Sequence, residues 1–210
     1  MKEFDLKYLS DDIRFIAGCD EAGRGPLAGP VVAAAVIFPN DFYYEEIDDS
    51  KKLTEKQREK LFPIILQNAV ACSVASVSHG LIDKINILNA SLLAMKTAVK
   101  RLRLSPDLIL VDGNKAFDFH VPVIPVIKGD SKSFSIAAAS VIAKVVRDRI
   151  MKRLDVYYPV YNWKKNKGYP TKKHLEAVNI YGLTPLHRKT FLKKFYERQS
   201  LVRYFYDEWD

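Results

Sequence analysis

The residues Arg14-Phe15-Ile16-Ala17-Gly18-Cys19-Asp20-Glu21-Ala22-Gly23-Arg24-Gly25-Pro26 decide how the rest of the chain is read. Phe15 to Cys19 is a short apolar run with strand character. It delivers two adjacent carboxylates, Asp20 and Glu21, into a glycine-rich turn that carries one arginine. Acids just off a strand, beside main chain freed by glycine, point to a site for cations and phosphates. Beyond the turn, Pro30 to Phe38 reads as a second strand closed by Pro39, and Val70, Cys72 and Val74 alternate with small residues as a third.

Between these strands Asp48 to Lys52 is a polar loop, and Thr54 with Gln57 forms a capping-box pattern that opens a helix. Pro63 is expected to kink or end that helix. Ile85, Leu88, Leu92, Met95, Val99 and Leu102 recur at the spacing of a helix with one buried face. Leu108 to Val111 is a compact buried strand ending on Asp112-Gly113-Asn114, and Val121 to Ile127, interrupted by Pro122 and Pro125, fits only an edge strand. From Ser133 to Leu154 a long helix begins almost wholly apolar, and its later turns, with Lys144, Asp148 and Met151, are expected to surface beside solvent or a ligand.

This order of elements predicts an α/β fold, a mixed sheet with helices packed on it. A helical crossover between the third and fourth strands lets the first and fourth lie parallel and adjacent. Asp20 and Asp112 then leave the same end of the sheet, where open α/β sheets place their sites. With 210 residues, 48% hydrophobic and 28% charged, the chain reads as one domain spanning 1–210, with residues 184–210 as a helical C-terminal extension.

A formal net charge of +8 fits a polyanionic partner. No apolar run is long enough for a bilayer, and the charged N-terminus lacks the apolar core of a signal peptide, so the expectation is a cytoplasmic protein without a membrane partner. Cys19 and Cys72 each lie in an apolar run and read as buried thiols.

Four acids stand out by position: Asp20, Glu21, Asp112 and Asp130, the last just before the long helix. Carboxylates gathered together repel one another unless a cation sits between them, and magnesium suits hard oxygen ligands. No His or Cys cluster at ligand spacing supports a transition metal. His174 and His187 read as packing residues, and Asp148, within Arg147-Asp148-Arg149, as an exposed or ion-paired helix residue.

Taken together, these stretches resemble the bacterial ribonuclease HII family over about Phe15 to Phe191. The resemblance rests on C-D-E-A-G-R-G-P-L-A-G-P from Cys19, Asp49-Ser50-Lys51-Lys52-Leu53, V-D-G-N at Val111 to Asn114 and K-G-D at Lys128 to Asp130. It extends through S-I-A-A-A-S-V-I-A-K-V-x-R-D from Ser135 to Asp148 and G-Y-x-T-x-x-H from Gly168 to His174.

The resemblance implies a ribonuclease H-like fold and a two-metal site for Mg2+ or Mn2+ on Asp20, Glu21, Asp112 and Asp130. It implies hydrolysis of RNA in RNA-DNA hybrids and incision 5′ to ribonucleotides embedded in duplex DNA, leaving 5′-phosphate and 3′-hydroxyl ends. Gly23, Arg24 and Gly25 would contact the ribose 2′-hydroxyl and flanking phosphates, with Tyr169 at the RNA-DNA junction. Ribonuclease HIII is set aside because it carries an extra N-terminal domain, for which residues 1–13 leave no room. A non-catalytic nucleic-acid-binding module is the alternative, and the four acids argue against it. A monomer is expected. Gln199 to Tyr206 resembles a sliding-clamp-binding box, with valine as a poor central anchor, and packing of this tail on the domain is the preferred reading.

Overall fold

The computed structural model describes residues 1–193. The clamp-like segment at 199–206 and the extension beyond residue 193 lie outside the described residues. Five strands, β1 (Ile16–Ala22), β2 (Val31–Ile37), β3 (Ala71–Val77), β4 (Leu108–Asp112) and β5 (Val123–Val126), form one sheet in the order β3-β2-β1-β4-β5. The β1–β2 and β2–β3 pairs are antiparallel, while β1–β4 and β4–β5 are parallel. Cys19 lies opposite Val111, so Asp20 and Asp112 emerge together at one end, as the crossover argument predicts. The proline-bearing β5 is an edge strand of the sheet, where a missing N–H is tolerated.

The helices are α1 (Lys2–Leu6), α2 (Glu55–Asn68), α3 (His79–Ile85), α4 (Ile87–Lys100), α5 (Phe134–Tyr157), α6 (Trp163–Asn166) and α7 (Lys172–Tyr181). Among the described residues, no helix is long and apolar enough to cross a membrane. The capping box of Thr54 and Gln57 opens α2 as expected. Pro63 does not end it, because Leu61 and Ile65 bury on either side of the proline and hold the helix against the core.

Both sheet faces are covered, so β1 and β2 are buried along nearly their whole length. Ala33 and Ala35 face α4, and Ala34 and Val36 face α5, as the strand alternation requires. The predicted helical stripe is broken by Asn86, whose φ of 65° separates α3 from α4. The buried face of α4 is Ala90, Ala94, Met95, Ala98 and Val99, with Leu88 and Leu92 only half-buried. Alanine brings this helix close to the small side chains of β2, a contact that the larger leucines would hold apart.

On the other face, α5 approaches β1 so closely that a Cβ at Gly18 would lie 2.2 Å from the Ser135 carbonyl carbon. Ser133 caps the helix. The expectation that its later turns surface beside solvent or a ligand holds for Lys144, which lines the cleft, and for the exposed Lys152, but not for Asp148 and Met151, which are buried, as is Arg147. Met151 packs with Leu27, Ala28 and Trp163, and Asp148 pairs with Lys144 at 2.8 Å and Arg58 at 3.9 Å. Residues distant in sequence cover what periodicity alone left open.

Residues 184–188 form a turn that lies along residues 27–29. Ala28 bridges His187, the Gly29 N–H donates to the Leu186 carbonyl at 3.0 Å, and the Arg188 N–H donates to the Leu27 carbonyl at 2.7 Å. The next helical residues, from Lys189, are anchored by N–H donation to the Asp83 carboxylate.

Candidate active site

Alternation along β1 sends Asp20 and Glu21 to opposite faces of the sheet. Asp20 shares the α5 face with Asp112, and Asp130 joins them from the turn that precedes α5. Oxygen atoms of Asp20, Asp112 and Asp130 all lie within 4.8 Å of one another. Asp112 accepts from the Gly129 N–H at 2.7 Å and from the Asp130 N–H at 3.4 Å, which ties the two acids through the main chain. Glu21 stands outside this trio; its carboxylate lies 3.2 Å from Arg24, yet it opens into the same cleft.

Burial, reinforced by the charges of Glu21 and Asp112, holds the Asp20 carboxyl well above its ordinary range. Burial and Asp130 raise Asp112, and burial raises Glu21 despite the opposing charge of Arg24. Lys51 supplies a local counter-charge, with its Nζ 2.6 Å from Asp130 Oδ2. Partial burial works against this ammonium, but the hydrogen bond and charge of Asp130 outweigh it and raise its pKa. Hard oxygen donors under mutual repulsion fit a divalent cation.

The Gly23-Arg24-Gly25 turn forms the cleft wall beside Tyr169. A Cβ at Gly25 would lie 3.4 Å from the Tyr169 ring, so glycine allows that ring to sit against the main chain. Tyr169 is 41% exposed, and its carbonyl accepts from Nδ1 of His174 at 2.9 Å. Behind it, Trp163 Nε1 donates to His174 Nε2 at 3.0 Å, and the His187 and His174 Nε2 atoms are 3.1 Å apart. Thr184 donates its N–H to His187 Nδ1, so His187 carries its proton on Nε2 and donates to His174. The histidines are buried packing and positioning groups, not members of the acid cluster.

Two further residues were not legible as site residues. Arg147 and Arg188 are fully buried. Arg147 donates to the carbonyls of Pro30, Lys167 and Ala28, at 3.1, 3.0 and 3.3 Å. Arg188 donates to Gly23, Arg24 and Gly29, at 2.7, 3.0 and 2.9 Å. Burial lowers their pKa values to about 10 and about 9, which leaves both charged at neutral pH. In sequence each sits among other charged residues and reads as a solvated side chain.

A helix-covered mixed sheet with clustered acids at the adjoining ends of β1 and β4 defines a metal-dependent nuclease of the ribonuclease H-like fold. Residues 17–197 match the family model described as Ribonuclease HII. The chain is 55% identical over 187 residues to the Ribonuclease HII of Parabacteroides distasonis, covering 89% of this chain and 94% of that one.

Among solved structures, ribonuclease H2 of Pyrococcus horikoshii OT3 is similar at a TM-score of 0.71 and 30% identity, covering 88% of this chain and 98% of that one. Ribonuclease HII of Archaeoglobus fulgidus, solved in a complex with PCNA, is similar at 0.71 and 26% identity, with 83% and 94% covered. The chain belongs to the ribonuclease HII family. It is an endoribonuclease of the ribonuclease H type, acting on nucleic acid with divalent metal.

Proposed function

We propose that this enzyme incises 5′ to a ribonucleotide embedded in duplex DNA, as well as cutting the RNA strand of RNA-DNA hybrids. The convergence of Asp20, Asp112 and Asp130 beside Gly23-Arg24-Gly25 and Tyr169 carries this reading. Asp20, Asp112 and Asp130 would hold Mg2+ or Mn2+, and Glu21, at the same cleft, would complete a two-metal site when substrate is bound. Such ions supply activation of water and stabilisation of the leaving oxygen in an in-line displacement.

The protein's own part is positioning. The turn offers main-chain donors close to a ribose, since glycine leaves no side chain between them. A 2′-hydroxyl distinguishes RNA from DNA at such a contact. Tyr169 presents a flat ring against Gly25, suited to packing on the deoxyribose at the junction. Lysines 164, 165, 172 and 173 flank this face and would contact phosphates without reading sequence. Products would carry 5′-phosphate and 3′-hydroxyl ends.

We infer a single catalytic domain with residues 184–210 as its C-terminal extension, acting as a cytoplasmic monomer. A sliding clamp is the further partner to test, through residues 199–206, because the archaeal relative is in a complex with PCNA. The deciding experiment incubates a duplex containing one ribonucleotide with Mg2+, with Mn2+ and with a chelator. Metal-dependent incision 5′ to the ribonucleotide is expected; binding without incision, or cutting of long hybrids only, would overturn the assignment.

A further inference from the structure

Arg188 places a buried guanidinium directly beneath the turn that faces the substrate cleft. Its N–H groups donate to the carbonyl oxygens of Gly23 and Arg24 at 2.7 and 3.0 Å. In a trans peptide the C=O of one residue and the N–H of the next point in opposite directions. Drawing the Gly23 and Arg24 carbonyls inward therefore turns the Arg24 and Gly25 N–H groups outward. Among the described residues neither of these N–H groups donates to a protein acceptor. Two adjacent outward amides form a small anion- or hydroxyl-binding concavity, and the cationic charge behind their carbonyls polarises them into better donors.

Among the described residues, Arg188 is the side chain that donates to the Gly23 and Arg24 carbonyls. Gly23 has a φ of +102°, which glycine adopts freely and a side chain would not, and a Cβ there would lie 2.0 Å from Arg147 Nε. Among the described residues neither arginine makes an ion pair with a carboxylate; their hydrogen bonds go to carbonyl oxygens, and Arg147 and Arg188 also lie over the rings of Tyr169 and Phe191. An arginine committed in this way is costly for stability alone, since burying a charge without its counter-ion is unfavourable.

We propose that Arg188 is a positioning residue for ribose recognition, one that aims the Arg24 and Gly25 amides at the substrate 2′-hydroxyl without touching substrate. Arg147 supports it from the other side by joining Pro30 and Ala28 to Lys167, beside Tyr169. The inference rests on the reading that this turn contacts the ribose.

The test compares wild type, Arg188→Lys, Arg188→Gln and Gly25→Val. Each is assayed for binding, under chelation, to a duplex with one ribonucleotide and to the same duplex in all-DNA form. Metal-supported kcat and KM are measured on the first substrate. Lysine keeps the charge but not the planar fork. Both Arg188 variants are expected to narrow the preference for the ribonucleotide duplex and to lose about tenfold to 100-fold in kcat, the scale of an ångström-level misplacement. All-DNA binding is expected to stay unchanged.

A lowered melting temperature with the ribose preference intact would overturn the proposal. If wild type shows no preference, or Gly25→Val leaves it unaltered, the ribose-contact reading of the turn fails instead. Amide exchange in the unaltered protein needs no variant to fold. Fast exchange at Arg24 and Gly25 that slows when the ribonucleotide duplex is added supports the proposal. Slow exchange in the free protein would show the amides turned inward and overturn it.

Discussion

Lys51 Nζ lies 2.6 Å from Asp130 Oδ2 and joins a three-acid cluster to a side chain that is itself largely exposed. One ammonium balances a fraction of the charge of Asp20, Asp112 and Asp130, and Glu21 adds to the repulsion from the neighbouring face. A divalent ion would complete the balance.

Metal is therefore expected to stabilise the fold in a pH-dependent way. Burial raises the folded-state pKa values of Asp20, Asp112 and Glu21, so the folded protein binds more protons than the unfolded chain over that window. In the metal-free protein this contribution to stability falls as pH rises from the ordinary value of 3.8 through the raised ones. Mg2+ or Mn2+ at about 100 times its dissociation constant is expected to raise the melting temperature by about 5 to 10 °C at pH 8. The rise should shrink at pH 5.5, where protons compete for the same oxygens. Equal shifts at both pH values would contradict a carboxylate site.

Asp112→Asn and Asp130→Asn each keep the side-chain shape and remove a charge. Turnover on the single-ribonucleotide duplex is expected to fall by about 100-fold or more, since metal-mediated stabilisation is worth several kcal/mol. Metal-free melting temperatures are expected to hold or rise, because a repelling charge is gone. Near-normal rates in either variant would place the metal elsewhere.

Tyr169→Ala removes the ring that packs against Gly25 while leaving the carbonyl that receives His174. Rate on the single-ribonucleotide substrate is expected to fall by about tenfold more than rate on a long hybrid, the scale of one aromatic contact. Equal losses on the two substrates would remove Tyr169 from junction recognition.

The buried histidine pair predicts acid sensitivity away from the chemistry. Burial and the neighbouring His174 lower the His187 pKa to about 4 from an ordinary 6.5. The unfolded chain then binds the extra proton first, so this contribution to stability is whole above pH 6.5 and is lost as pH falls toward 4. In an NMR titration His187 is expected to stay neutral at pH 5. Titration of its ring near 6.5 would show that the Trp163-His174-His187 network is open to water.

How much of this was legible in sequence depended on whether a residue's partners were local. The β1 and β4 runs and the apolar start of the long helix announce themselves by composition and spacing, so the acids at their ends could be placed together. The division of Asp20 and Glu21 between two faces follows from alternation, but it becomes visible only once β1 is known to continue to Ala22. The stripe found the face, with Met95 and Val99 buried and Ile85, Leu92 and Leu102 packed against the core, but missed the alanines at 90, 94 and 98, which carry little hydrophobic signal while packing closest to the sheet. Arg147 stood in a family motif and Arg188 in a basic stretch, but the structural role of neither was legible, because a carbonyl acceptor can belong to any residue type. Their partners lie 117 and 165 positions away, at Pro30 and Gly23.

That last separation has a consequence for how the enzyme comes into being. All four acids have been synthesised once the ribosome passes Asp130, whereas the carbonyls of Gly23 and Arg24 must wait for Arg188. A nascent chain would thus hold the acids of its proposed metal site well before it could set the turn beside them. Under these proposed roles, metal binding and ribose recognition would mature at different moments of translation, with recognition arriving last.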